Sequence, residues 1–115
     1  MKTLIPEYTK ESLDRYILSN IRPGDFVCSY LANELFEALK RADTHNIAHF
    51  VQIGAYISNY LPLGAYGSYE KIDNWLQLPA QAKEYARGLY KDRILKYVDD
   101  NRDSMLRPNF YELLN

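Results

Sequence analysis

The sequence has few cysteines, almost no net charge and no long apolar run. Its one cysteine, Cys28, excludes a disulfide within the chain and is typical of a reducing compartment. The 14 Lys and Arg residues nearly balance the 15 Asp and Glu residues, which leaves a net charge of −1. This balance argues against a protein that binds nucleic acid by neutralising phosphates, and also against an acidic mimic of DNA.

The apolar runs of the sequence are too short to predict a transmembrane helix. None approaches the roughly 20 residues that a helix needs to span a bilayer. The segment Met1 to Pro6 carries one lysine and no apolar core, so it does not match a signal peptide. We therefore expect a cytoplasmic protein without a membrane partner. A chain of 115 residues is expected to form a single helical domain over residues 1–115 and to bury about two-thirds of its unfolded surface.

Helical spacing of apolar residues recurs through most of the chain and predicts an all-α fold of about five helices. A first helix is predicted from Thr9, and a second from Asp25 to Arg41. The second carries an apolar stripe with one member every four residues: Val27, Leu31, Leu35 and Leu39. Further helices are predicted to begin at Asp43 or Thr44, at Ser68 and at Pro79, where capping or first-turn residues occur.

The segment 44–61 is the most apolar of these helices and is predicted to lie buried at the centre of the bundle. Its only polar strip runs through His45, His49 and Gln52, and Pro62 ends it. Gly54 in its middle costs roughly 1 kcal/mol relative to alanine. We therefore expect a neighbouring backbone to approach closely at Gly54.

Few residues suggest chemistry. His45 and His49 have the spacing at which two imidazoles share a metal on one helix, but His45 is not followed by the Glu of a metalloprotease motif. We interpret them as two partly exposed histidines and predict no metal and no cofactor. The loop Gly64–Ser68 could offer amides to an anion, although a tight turn between packed helices explains its glycines better. No nucleophile, base and orienting group can be assembled, so we do not expect an enzyme.

The chain has 11 tyrosines, and several of them lie around the glycine-containing loop. Tyrosine combines a large rigid ring with a polar tip and is enriched at protein interfaces. An alternative is that these rings half-bury against the core. We predict a partner-binding surface formed by this tyrosine segment and the exposed face of the last helix: Tyr56, Tyr60, Tyr66, Tyr69, Lys83, Arg87 and Lys91.

The same basic residues of the last helix support an alternative function, a small nucleic-acid-binding transcriptional regulator. A helix-turn-helix needs an exposed polar recognition helix, and the segment 44–61 is too apolar for that role. The sequence therefore favours a protein partner over nucleic acid. Self-association into a homo-oligomer remains a second form of the protein-binding hypothesis.

Five short motifs give the segment 14–78 a resemblance to a known group. They are PGDF at Pro23–Phe26, LxNxL at Leu31–Leu35, RADxxN at Arg41–Asn46, YxxNYxP at Tyr56–Pro62 and GSxEKxxxW at Gly67–Trp75. In this order they resemble small helical proteins encoded by bacteriophages and prophages. Members of that group often have tryptophan before the Gly-Ser pair, where this chain has Tyr66.

The resemblance implies a phage or mobile-element origin and carries no established activity, so it assigns no functional residues. Such an origin favours a small protein that binds a host protein in the host cytoplasm. Inhibition of a bacterial defence system such as CRISPR is one specific form of this expectation.

Overall fold

The computed structural model describes residues 4–101, which form seven α-helices and one short 3₁₀ turn. The helices are α1 (Glu7–Ser19), α2 (Asp25–Leu31), α3 (Leu35–Arg41), α4 (Thr44–Ala48), α5 (Phe50–Tyr60), α6 (Tyr69–Gln77) and α7 (Ala80–Asp100), with the 3₁₀ turn at Leu63–Ala65. These residues contain no strand, which confirms the all-α prediction. None of the helices in this range is long and apolar enough to cross a membrane.

The predicted helix from Asp25 to Arg41 is wrong, because the chain breaks it after Leu31. Asn33 adopts a left-handed conformation with φ of 65°, which asparagine tolerates better than most residues. The chain then restarts as α3 at a new angle. The apolar stripe is divided between two helices, and Leu35 and Leu39 on α3 remain 47% and 42% exposed.

The predicted helix over 44–61 is also two helices, α4 and α5, which meet at His49. The backbone of His49 is not helical, with φ of −117° and ψ of 24°, and its ring Nδ1 lies 2.9 Å from the carbonyl of His45. Pro62 follows the end of α5 as expected. The expectation of burial on nearly every side is corrected as well, since Ile47 is 51% exposed and Val51 is 68% exposed.

The first helix, α1, begins at Glu7 rather than at Thr9 and makes hydrogen bonds with α4, α5, α6 and α7. Leu13, Tyr16 and Ile17 on α1 are fully buried. The Thr9 hydroxyl donates to the Asn46 side chain of α4 over 2.6 Å, which places the N-terminal half of α1 against α4. We conclude that α1, and not the segment 44–61, occupies the centre of the fold.

Tyrosines supply much of the core, and their hydroxyls bond within the protein. Tyr56 and Tyr90 lie 2.9 Å apart through their hydroxyl oxygens, and both donate to the Asp14 carboxylate, over 3.3 Å and 2.7 Å. Lys10 makes an ion pair with the same carboxylate at 2.7 Å. Burying these polar tips is tolerable because each has a partner.

Candidate interaction surface

An open groove of about 290 Å³ lies where the turn between α2 and α3 meets α5. Its walls come from distant parts of the sequence and are mainly apolar. The lining side chains include Tyr30, Leu31, Leu35, Ile57 and Tyr66. The backbone joins two of the walls, since the amide of Gly67 donates to the carbonyl of Leu31 over 2.6 Å. We call this feature the Leu35 groove.

Gly54 and Tyr30 shape one wall of the Leu35 groove. A Cβ atom added at Gly54 would lie 2.7 Å from the Tyr30 hydroxyl oxygen, which is too close for van der Waals contact. The same hydroxyl donates to the carbonyl of Phe50 over 2.5 Å, and burial raises the pKa of Tyr30. The prediction that a neighbouring backbone approaches Gly54 is therefore wrong, because the close neighbour is a side chain.

Exposed apolar side chains surround the groove on α3. Phe36 is 82% exposed and follows Leu35 directly. Leu39 lies one turn beyond Leu35, so these three side chains form one continuous apolar strip on a short helix. Large apolar side chains in such a strip favour contact with another molecule over contact with water.

The chain that contributes α4, α5 and the loop after them carries no formal charge. From Thr44 to Tyr69 the sequence contains no Asp, Glu, Lys or Arg. Charged residues are depleted at the centres of protein interfaces, whereas aromatic residues are enriched there. The exposed residues of this segment include Ile47, Val51, Leu63 and Tyr69, which extend the uncharged surface beyond the groove.

The four tyrosines of the predicted surface separate into two pairs. Tyr56 and Tyr60 are 0% and 6% exposed, so they are withdrawn from the surface. Both rings pack against Tyr97, at centroid distances of 5.0 Å and 5.7 Å. Tyr66 is half-buried in the wall of the Leu35 groove, and Tyr69 is 42% exposed at the start of α6. Only this second pair is available to a partner.

The basic residues of α7 differ from the expected solvated patch, and Lys83 departs from it most. Lys83 is 1% exposed, and its ammonium group donates to the Asn20 side chain over 2.5 Å and to the Trp75 carbonyl over 2.8 Å. It also lies 5.4 Å from the centre of the Trp75 ring. Burial lowers the pKa of Lys83, with a smaller contribution from the charge of Arg87.

Lys83 and Arg87 bind the C-terminal ends of two other helices. The Nε of Arg87 donates to the carbonyl of Ile17 near the end of α1 over 2.7 Å, and Lys83 bonds the Trp75 carbonyl near the end of α6. Cations are favourable at these ends because of the helix dipole. Lys91 is exposed, but it lies along a shallow face of α7 with Glu84. The basic surface on which the nucleic-acid hypothesis depended is therefore much smaller than predicted.

The predicted histidine pair is placed on α4 and at its end. His45 is exposed and His49 is half-buried, with its ring nitrogen against the carbonyl of His45. Over residues 4–101, no group of three or more His, Cys, Asp or Glu side chains is arranged to hold a metal ion. The hydrogen-bonded set of Asp14, which is half-buried, and the buried Tyr56 and Tyr90 does not line the Leu35 groove.

Sequence analysis missed the side chains of α3 as surface residues. Leu35 and Leu39 continue the spacing of Val27 and Leu31, so they were assigned to the core. The available signal was Asn33, a residue type that tolerates the left-handed conformation at which helices end. A helix boundary at Asn33 separates Leu35 and Leu39 from the apolar stripe of Val27 and Leu31.

No family model, curated protein or solved structure matches the chain.

Proposed function

We propose that the chain is a small non-enzymatic protein that binds another protein through the Leu35 groove and the exposed apolar strip of α3. The observation that supports this proposal most strongly is the combination of an open apolar groove, an exposed aromatic ring at Phe36 and an adjacent segment without formal charge. Interfaces use aromatic and aliphatic anchors that fit pockets, surrounded by residues that exclude water.

The proposed partner is a host protein, and the proposed setting is the cytoplasm of a bacterial host cell. The resemblance to phage and prophage proteins supports a mobile-element origin, for which stoichiometric inhibition of a host defence system such as CRISPR is a fitting role. The groove favours a partner that offers uncharged, apolar side chains, since its lining contains no charged residue.

A pair of matched double variants tests the proposal. Leu35→Ser with Tyr66→Ser removes two groove walls, whereas Tyr85→Ser with Leu95→Ser removes the same residue types from exposed positions on α7, where they are 79% and 66% exposed. Affinity capture from host lysate should recover a partner with the wild type and with the α7 control. The groove variant should lose it while keeping its helical circular dichroism. If the groove variant and the α7 control capture the partner equally, the partner binds at a surface other than the Leu35 groove.

A further inference from the structure

Phe36 has the largest exposed fraction, 82%, among the large apolar side chains that the structure describes. It follows Leu35 on α3, and Leu39, one helical turn after Leu35, is also partly exposed. An aromatic ring in this position acts as a protruding knob, since it is large, has only two side-chain torsions and has little to pack against.

An apolar hole begins at the residue that precedes Phe36 in the sequence. Leu35, the residue before Phe36, forms part of the Leu35 groove with Ile57 and Tyr66. At Gly54 the wall of the groove is completed by Tyr30, whose hydroxyl occupies the space where a side chain at Gly54 would begin. At about 290 Å³ the groove is just below the range of small-molecule pockets, and an apolar side chain of a partner suits it better.

We infer that the Leu35 groove is occupied by Phe36 of a second copy of the same chain, in a two-fold symmetric dimer. In such an interface the same patch serves both partners, so each copy inserts its knob and receives the other's. A knob and a hole one residue apart meet this requirement, because a single rotation can satisfy both contacts.

The charges at the edge of the groove are also self-complementary. Glu34 is exposed and precedes Leu35, which lines the groove. The side chain of Lys71 packs against Gly67, another lining residue. Neither makes an ion pair with another residue between 4 and 101. Opposite charges on one patch allow two copies to face each other without like-charge repulsion.

This inference rests on the proposed function, because it assigns an occupant to the same groove. A second copy and a host protein would then compete for the Leu35 groove. The dimer is the form in which the apolar strip is covered before the partner binds, and partner binding converts it to a complex containing one copy of this chain.

Sedimentation equilibrium of the full chain over a dilution series tests the dimer. The wild type should change from monomer to dimer at concentrations below about 1 mM. Phe36→Ser should raise the dissociation constant by at least about tenfold, as expected for loss of a central anchor. Tyr85→Ser, which removes a ring with 79% exposure from α7, should leave the constant unchanged.

A wild type that stays monomeric over the whole series would overturn the inference. So would a dimer that Phe36→Ser leaves intact, or one that Tyr85→Ser weakens equally. Partner capture by the groove variant distinguishes the two hypotheses. If the wild type is monomeric but captures a partner through the groove, only the dimer hypothesis is rejected. If the dimer depends on Phe36 but no partner is captured, only the host-protein hypothesis is rejected.

Discussion

Alkaline pH should unfold the protein cooperatively, because four tyrosines of the core are almost completely inaccessible to water. Tyr16, Tyr56, Tyr90 and Tyr97 are at most 1% exposed. Burial is the main cause that raises the pKa of each phenol above its ordinary value of 10.0. The folded protein therefore holds these protons at a pH at which the unfolded chain releases them.

The direction and size of the effect follow from proton linkage. Above pH 10 the unfolded chain binds fewer protons than the folded protein, so stability falls as the pH rises. A phenol that stays neutral while folded costs about 1.4 kcal/mol at pH 11, so four cost about 6 kcal/mol. Domains of this size have about 5–15 kcal/mol of stability, and each further pH unit removes about another 5–6 kcal/mol, so unfolding is expected between about pH 11 and pH 13.

Lys83 acts in the opposite direction but in a lower pH window. The pKa of Lys83 is lowered in the folded protein, because burial disfavours its charged form. The charged ammonium group therefore destabilises the fold at lower pH, and this cost disappears as the pH rises toward 10.5. Above that value its contribution is constant and cannot offset the tyrosines. The net slope above pH 10.5 is thus set by phenols, and Tyr8 and Tyr30, whose pKa values are also raised, add to the effect of the four in the core.

The assay follows tyrosinate absorbance and far-ultraviolet circular dichroism on the same samples. The buried rings should ionise together with the loss of helix. Tyr90→Phe should reduce the pH slope by one proton. Ionisation of all tyrosines near pH 10 with the helices intact would refute this reasoning.

Three further predictions concern single sites. Gly54→Ala should force Tyr30 out of its position and destabilise the protein by about 1–3 kcal/mol in urea unfolding, despite the better helix propensity of alanine. Lys83→Met keeps the buried stem but removes the hydrogen bonds to the Asn20 side chain and to the Trp75 carbonyl, which keeps only the amide of Leu78 over 3.3 Å, and this should cost about 1–3 kcal/mol. Cys28 is buried and burial raises its pKa, so a thiol reagent should label it far more slowly in the folded than in the denatured protein.

Each of these three has a contradicting result and a simple control. An unchanged or higher free energy of unfolding for Gly54→Ala would mean that Tyr30 moves without cost, and Gly88→Ala, where a Cβ meets nothing within 4 Å, is its control. Lys91→Met on the exposed side of α7 controls for Lys83→Met, and an equal effect of the two would contradict the buried role. Rapid labelling of Cys28 in the native state would contradict its burial.

The parts of the fold that could be predicted from sequence are those set by local interactions. Asp43 caps α4 by accepting from the amide of Asn46 over 2.8 Å, and Ser68 caps α6 by accepting from Lys71 over 3.1 Å. Pro62 follows the end of α5, because proline removes a donor and disfavours a helical residue before it. Each signal acts within four residues, so no knowledge of tertiary contacts was needed.

The rest could not be predicted, because it depends on contacts between distant residues. Lys83 has the residue type of a solvated face, and only the converging ends of α1 and α6 explain its burial. Tyr56 and Tyr60 lie near Tyr66 in sequence but point into the core, since α5 packs against α7. The Leu35 groove joins Leu35 to Ile57, a pairing that no local pattern indicates.

The most direct test of the proposed surface is a dilution series of amide chemical shifts by nuclear magnetic resonance. If the surface around the Leu35 groove is the contact surface, concentration-dependent shifts should be confined to residues 30–39 and 54–71. Shifts concentrated instead on the exposed face of α7 would contradict the account, and no shifts up to about 1 mM would contradict the dimer.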